Sequence, residues 1–256
     1  MKTLRIEKNE SITTVYLNRP SQRNSLTTEM IDDLHAVVDQ LRGDESTRAV
    51  IITGTGKTFS VGADVEMLTR IGEAYTPEET RDVITKWRAT FDALEQLPQI
   101  TIAAINGLTY GGGVVLALAC DFRLASTRAI FGLPEIKLGM VLALGGTQRL
   151  TRLIGVSAAK EMILRGRNVT AIEAQRMGLA HRITEPGDLM GVAKSWAERS
   201  VNYSPRALAL AKRLIDQSFD RDANASAEAE TLAQVELLHS SEFLGRVKSL
   251  KDSGEI

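Results

Sequence analysis

Two periods of hydrophobic and polar positions alternate along the chain. Ser11–Leu17 is a β-branched and aromatic run that predicts a strand, and Met30–Leu41 places apolar residues at helical spacing behind a Thr27 or Thr28 cap. Arg48–Thr53 and Thr101–Ile105 are continuous apolar runs of the kind that form strands buried on both faces. Thr76-Pro77-Glu78-Glu79 is a capping box with proline at the first helical position, launching a helix through Trp87 and Phe91 toward Leu94. A second box, Thr170-Ala171-Ile172-Glu173, starts a short helix that Gly178 stops. From Asp188 onward strand signals fade, and 188–202, 205–218 and 224–240 read as successive helices, with Ser204-Pro205 a helix start. The order predicts an α/β core over residues 1–190 and a helical region over 191–256. Taken alone, the pattern suggests a doubly wound sheet.

Composition narrows the function classes. At 256 residues, with 43% hydrophobic and 25% charged residues, the chain has globular rather than disordered character. Lys and Arg number 31 against 32 Asp and Glu, so a net charge of −1 offers no global field for nucleic acid or an anionic membrane. Thr101–Leu118 is apolar but carries four glycines and Asn106, which excludes it as a membrane span. The single Cys120 cannot form an internal disulfide and reads as a small buried hydrophobe, in keeping with a reducing cytoplasm. His35, His181 and His239 lack metal-ligand spacing.

Two glycine-centred stretches carry the chemistry: Phe59-Ser60-Val61-Gly62-Ala63-Asp64 and Tyr110-Gly111-Gly112-Gly113. Each runs from an apolar strand toward a helix, where glycine permits a tight turn and leaves backbone N–H groups unpaired. Two such donors meeting on one oxygen make an oxyanion hole. Gly54-Thr55-Gly56-Lys57-Thr58 imitates the end of a phosphate-binding loop, but Ile51 stands where that motif needs its first glycine and Phe59–Gly62 stands where it needs a helix. Lys57 therefore reads as a solvated loop residue.

FSVGAD, AAINGLTYGGG, CDFRLAS, FGLPEIKLGM and GGTQRL, in that order over residues 59–150, resemble the signature of the enoyl-CoA hydratase/isomerase (crotonase) family. YLNRPSQRNSLT and the C-terminal helices fit it too, so the resemblance spans nearly the whole chain. It implies a spiral of ββα units in place of a doubly wound sheet, with C-terminal helices that pack a homotrimer or a homohexamer of two trimers. Leu232, Val235, Leu237 and Leu238 then face either a neighbouring subunit or an intrachain core. The implied substrate is an acyl-CoA thioester. No separate cofactor or metal is implied, since coenzyme A is part of the substrate.

The same resemblance maps the oxyanion hole to the amides of Ala63 and Gly112, with the helix N-terminus at Gly112 adding partial positive charge. Substrate contacts map to Arg23, Val61, Gly62, Ala63, Asp64, Val65, Gly111, Gly112, Val115, Trp87 and Leu142; Arg23 meets phosphate and the Trp87 helix lies along the acyl tail. Hydratases of the family use two glutamates. Glu135 supplies one, but Val115 fills the place of the other and cannot activate water. Asp121 reads as a local structural hydrogen-bonder. Ala143 likewise replaces a glycine of the water-holding turn. One carboxylate beside an oxyanion hole suits proton relocation, so isomerisation of 3-enoyl-CoA to 2-enoyl-CoA with Glu135 as shuttle leads. Hydration, decarboxylation assisted by Lys86, Tyr75, Tyr110 or His239, and non-catalytic acyl-CoA binding stand as alternatives.

Overall fold

The computed structural model describes residues 1–253. In chain order the elements are β1 (Leu4–Asn9), β2 (Ile12–Leu17), α1 (Thr28–Arg42), β3 (Ala49–Gly54), β4 (Thr58–Ser60), α2 (Val65–Ala74), α3 (Pro77–Glu95), β5 (Ile100–Ile105), β6 (Leu108–Tyr110) and α4 (Gly112–Leu118). There follow β7 (Phe122–Ser126), β8 (Ile130–Gly132), α5 (Gly146–Arg165), β9 (Val169–Thr170), α6 (Ala171–Arg176), β10 (Arg182–Thr184), α7 (Leu189–Val201), α8 (Pro205–Gln217), α9 (Ala223–Leu238) and α10 (Ser241–Ser253).

Three consecutive pairs of strands explain the architecture. The first member of each pair, β3, β5 and β7, joins a six-stranded sheet ordered β1-β2-β3-β5-β7-β10; the second member, β4, β6 and β8, joins a four-stranded sheet ordered β4-β6-β8-β9. Within each sheet these strands run parallel, so every ββα turn adds one strand to both. This is the spiral of ββα units that the family resemblance implies, and it corrects the doubly wound sheet suggested by pattern alone. Short polar links such as Gly54–Lys57 carried no signal that the second strand of each pair leaves the first sheet. β3 and β5 are buried throughout, as their unbroken apolar runs predict.

Local chemistry fixes the helix starts. Thr27 caps α1 by accepting from the Met30 amide, and the capping boxes at Thr76 and Thr170 form with Glu79 and Glu173. Two helices escaped the hydrophobic pattern. α5 is interrupted at Gly155 (φ 78°, ψ 162°), which rotates its apolar stripe out of phase, and α10 has no buried residue to mark a face.

The chain divides into two compact units, Met1–Ser200 and Val201–Ile256. Nearly all of α7 belongs to the first, ten residues beyond the boundary set by fading strand signals, because its Leu189, Ala193 and Ala197 are buried. No described helix is long and apolar enough to cross a membrane.

Candidate active site

The first glycine loop leaves β4 and enters α2. Leu26 brackets it: the Leu26 amide donates to Gly62 O (2.8 Å) and the Asp64 amide donates to Leu26 O (3.0 Å). In that parallel bridge the Ala63 N–H points to the opposite side. Gly62 has φ 81°, and a Cβ placed on it would stand 2.8 Å from Gly112 N and 2.6 Å from Tyr110 O. The two glycine loops therefore converge. A Cβ on Gly112 would in turn stand 3.7 Å from Ala63 N and 3.1 Å from the Leu26 side chain, which is why the second donor sits on glycine. Among the described residues, neither the Ala63 nor the Gly112 N–H meets a protein acceptor. Two unpaired amides at one point can receive one oxygen. α4 is only seven residues long, so amide placement rather than a long helix dipole makes this site.

Gly111 (φ 49°) carries the second consequence: a Cβ there would lie 2.6 Å from Glu135 Oε1. Glu135 opens a 3-10 turn, Glu135–Leu138, directly after β8, and the Gly111 amide donates to Gly132 O (2.9 Å). Glu135 is thus held against the residue preceding the donor amide. Its Oε2 is buried without a partner. Burial pushes the carboxyl above its ordinary range, and a hydrogen bond from its own amide only partly offsets this. It is not a solvated loop glutamate. A carboxyl with raised proton affinity and an unengaged oxygen can take and return a proton.

Val115 is one turn into α4 and buried, and Leu142 is buried too; the two flank Gly146, where no Cβ would fit. Both faces of Gly146 are therefore aliphatic. Ala143 is exposed, so of the departures in that turn Leu142, not Ala143, forms the wall.

Beside these groups opens a cavity of about 1010 Å³. Arg23, Val61, Ala63, Asp64 and Val65 line it, together with Arg19, Arg70, Tyr110 and Pro134. Tyr110 adjoins Gly111 and Pro134 adjoins Glu135, so the chemistry lies next to the cavity wall. Trp87 packs in the core with Phe91 and Leu94 and, like Gly62, Gly111, Gly112, Val115 and Leu142, is not part of the cavity lining. A large indole on the apolar stripe of α3 has its burial decided by that stripe.

Asp64 is architectural as well as cavity-lining, since it caps α2 and accepts from Ser25 Oγ (2.9 Å). Partial burial works against its charge, but Ser25, the α2 amides and Arg19 hold its carboxyl below the usual range. Asn24, within the Arg23–Leu26 stretch that the resemblance maps to the adenine and pantetheine contacts, has a structural role. It is fully buried at φ 54°, accepts from the Arg19 amide (2.9 Å) and donates to Thr55 O (3.0 Å) and Thr58 O (2.8 Å), tying the Arg23 turn to the β3–β4 link. Asparagine's tolerance of the left-handed region was the available signal.

Asp121 accepts from the Thr101 amide (2.7 Å) and hydroxyl (2.9 Å), a structural role. Of Lys86, Tyr75, Tyr110 and His239, Tyr110 alone lines the cavity; Lys86 pairs with Asp32 at 2.7 Å. His35 bonds Thr90. His181 is pushed down to about 4 by burial and the nearby Arg123 charge, and its Nδ1 accepts from the Arg123 amide. The described residues hold no cluster suited to a metal.

Comparison with known proteins gives the family. The enoyl-CoA hydratase/isomerase family profile matches residues 7–251. YngF of Bacillus subtilis is 41% identical over 216 residues, covering 84% of this chain and 82% of that protein. The short-chain-enoyl-CoA hydratase of Clostridium acetobutylicum is 36% identical, with 89% and 86% covered. A crystal structure of enoyl-CoA hydratase from Bacillus anthracis superposes with a TM-score of 0.92 at 35% identity, covering 98% of this chain and 96% of that one. The chain belongs to the enoyl-CoA hydratase/isomerase family.

Proposed function

We propose that this family member isomerises 3-enoyl-CoA to 2-enoyl-CoA, with Glu135 as the single proton shuttle. The observation that carries the reading is one partly buried carboxyl, its Oε2 buried without a partner, near aliphatic Val115 and Leu142 in place of a second carboxylate. The thioester oxygen would rest on the Ala63 and Gly112 amides. Glu135 would remove a C2 proton, and the electron pair of that C–H bond would delocalise onto the thioester oxygen as a dienolate. Return of the same proton to C4 would move the double bond to C2–C3 and restore the carbonyl. No atom is gained or lost. Stabilisation of the oxygen charge by preorganised amides and proton transfer by a tuned carboxyl account for the acceleration.

Arg23 and Arg70 line the cavity and have no carboxylate partner among the described residues, which supports phosphate contacts to the coenzyme A portion. A cytoplasmic trimer, or a hexamer of two trimers, completes the proposal. Leu232 (61% exposed), Val235 (51%) and Leu238 (43%) on α9 support it, because the chain alone leaves them in water. Light scattering on the full chain and on a chain ending at Ser204 tests it: assembly is expected of the first alone, and a monomeric full chain would refute it.

Hydration of 2-enoyl-CoA is the second reading, supported by the hydratase names of the Clostridium acetobutylicum and Bacillus anthracis relatives. Mass spectrometry separates the readings. Isomerisation leaves the mass unchanged, whereas hydration adds one water. Faster turnover of 3-enoyl-CoA than of crotonyl-CoA is expected; crotonyl-CoA hydration at a matching or greater rate would reverse the order. Binding without turnover or C2 proton exchange would mark a non-catalytic acyl-CoA binder.

A further inference from the structure

The segment Glu135–Gly146 touches the start of α4 at two points. At its beginning Glu135 lies against Gly111; at its end Gly146 is flanked by Val115 and Leu142, a Cβ on it standing 2.6 Å from Val115 Cγ2 and 2.9 Å from Leu142 Cγ. The acid–base group and the dry wall are therefore two ends of one strap. Between them the strap adopts an unfavourable backbone, with Leu144 at φ 60°. A leucine in the left-handed region persists only where its surroundings hold it.

Arg149 provides that hold. Its Nη1 donates to Leu144 O (2.9 Å), while Nε and Nη2 grip Glu95 at 3.0 and 2.6 Å and Nη2 also reaches Asp92 at 2.6 Å, both carboxylates lying at the end of α3. The side chain is 9% exposed. A nearly buried ion cluster contributes little net stability compared with apolar packing, so stability is a weak reason for its presence. Its geometry is specific: the guanidinium fork spans α3 and the strap at once, which a lysine cannot do.

We propose that Arg149 is a positioning residue for the reaction: through the Leu144 carbonyl it holds Leu142 and Gly146 in place beside Val115 and keeps water from the dienolate near Glu135. The proposal rests on the isomerase reading for its product consequence, though not for its effect on rate. Loosening the strap displaces both of its ends. Proton return then slows as Glu135 shifts, and water gains access to the conjugated product at C3.

The test compares Arg149→Lys, Glu95→Gln and Gly146→Ala, the last of which moves the wall without touching the ion cluster. Arg88→Gln, on the exposed side of Asp92, is the control. Readouts are kcat and KM for 3-enoyl-CoA, the fraction of 3-hydroxyacyl-CoA formed, C2 deuterium exchange in D2O, and Tm. Arg149→Lys is expected to lower kcat roughly 10- to 100-fold and leave KM within about threefold, because the cavity arginines are untouched. The hydroxyacyl fraction should rise in all three variants and stay at the wild-type level in Arg88→Gln. A lower Tm with wild-type kcat, exchange rate and product ratio would overturn the proposal. Should Arg149→Lys not fold, Gly146→Ala changing the product ratio while Glu95→Gln does not would overturn it equally. If the wild type proves to be a hydratase, the isomerase reading fails alone; the positioning role is then judged by C2 exchange in Arg149→Lys, and wild-type exchange overturns it.

Discussion

The two glycine loops are built alike and end differently. Each follows a three-residue strand and enters a helix, yet α2 after Ala63 buries no residue, whereas Gly113–Leu118 of α4 are all buried. Behind α4, Arg123 is itself buried and donates to Cys120 O (2.7 Å) and Leu179 O (2.9 Å), locking the helix from its far end. One of the two unpaired amides, that of Gly112, thus stands on a fixed support. The other stands on an element with few buried contacts, which opens at low free-energy cost. If the proposed function holds, the contrast assigns tasks: the α4 side would set the geometry of the chemistry and the α2 side would admit the ligand.

Removing the carboxyl on the fixed side should have the largest effect. Glu135→Gln is expected to lower kcat by on the order of 10²–10⁴-fold with acyl-CoA affinity nearly unchanged, checked by single-turnover kinetics and calorimetry. A linkage consequence accompanies it. The folded-state pKa of Glu135 is raised, so its contribution to stability is present below the unfolded value and lost as pH rises through the folded value. The Tm of Glu135→Gln relative to wild type should therefore climb with pH, and activity should show an acid limb above the ordinary glutamate range. A Tm difference that is flat across that window would place Glu135 in water.

Bulk at the two donors tests the contrast itself. Gly112→Val should cost on the order of 10²–10³-fold in kcat, because a rigid neighbour cannot yield. Ala63→Val should cost roughly tenfold, the worth of one weakened bond to a charged oxygen, since α2 can shift. Equal losses would erase the distinction between the loops. Val115→Glu should lower stability by on the order of 3 kcal/mol by burying a carboxylate, and chemical denaturation measures it; a gain in hydration would show that the wall alone excludes water. The smallest effect is dynamic: amides of α2 should exchange with D2O faster than those of α4 and be protected by an acyl-CoA thioester. Indistinguishable exchange would remove the proposed division of labour.

Much of this arrangement was legible before any coordinates. Capping boxes at Thr76 and Thr170 announced their helices because the interaction is local, and continuous apolar runs announced β3 and β5 because burial on both faces leaves no alternation. The glycine loops were visible because φ near +80° at Gly62 restricts the residue type. The split into two sheets was not, since it depends on pairing between β4, β6 and β8, each three residues long and distant in sequence. Trp87 was placed along the pocket because a core-facing and a ligand-facing indole carry the same helical spacing. Arg149 went unassigned for the converse reason: its partners on α3 lie 54 and 57 residues away and no local pattern joins them.

Proton transfer by one partly buried carboxyl is open to direct measurement. A 3-enoyl-CoA doubly deuterated at C2 should, in ordinary water and at low conversion, yield 2-enoyl-CoA that keeps one deuterium at C2 and carries part of the other at C4, because Glu135 receives and returns it before exchange with solvent. Deuterium absent from C4, together with accumulation of 3-hydroxyacyl-CoA, would contradict a single dry shuttle and show that water reaches the dienolate behind Val115 and Leu142.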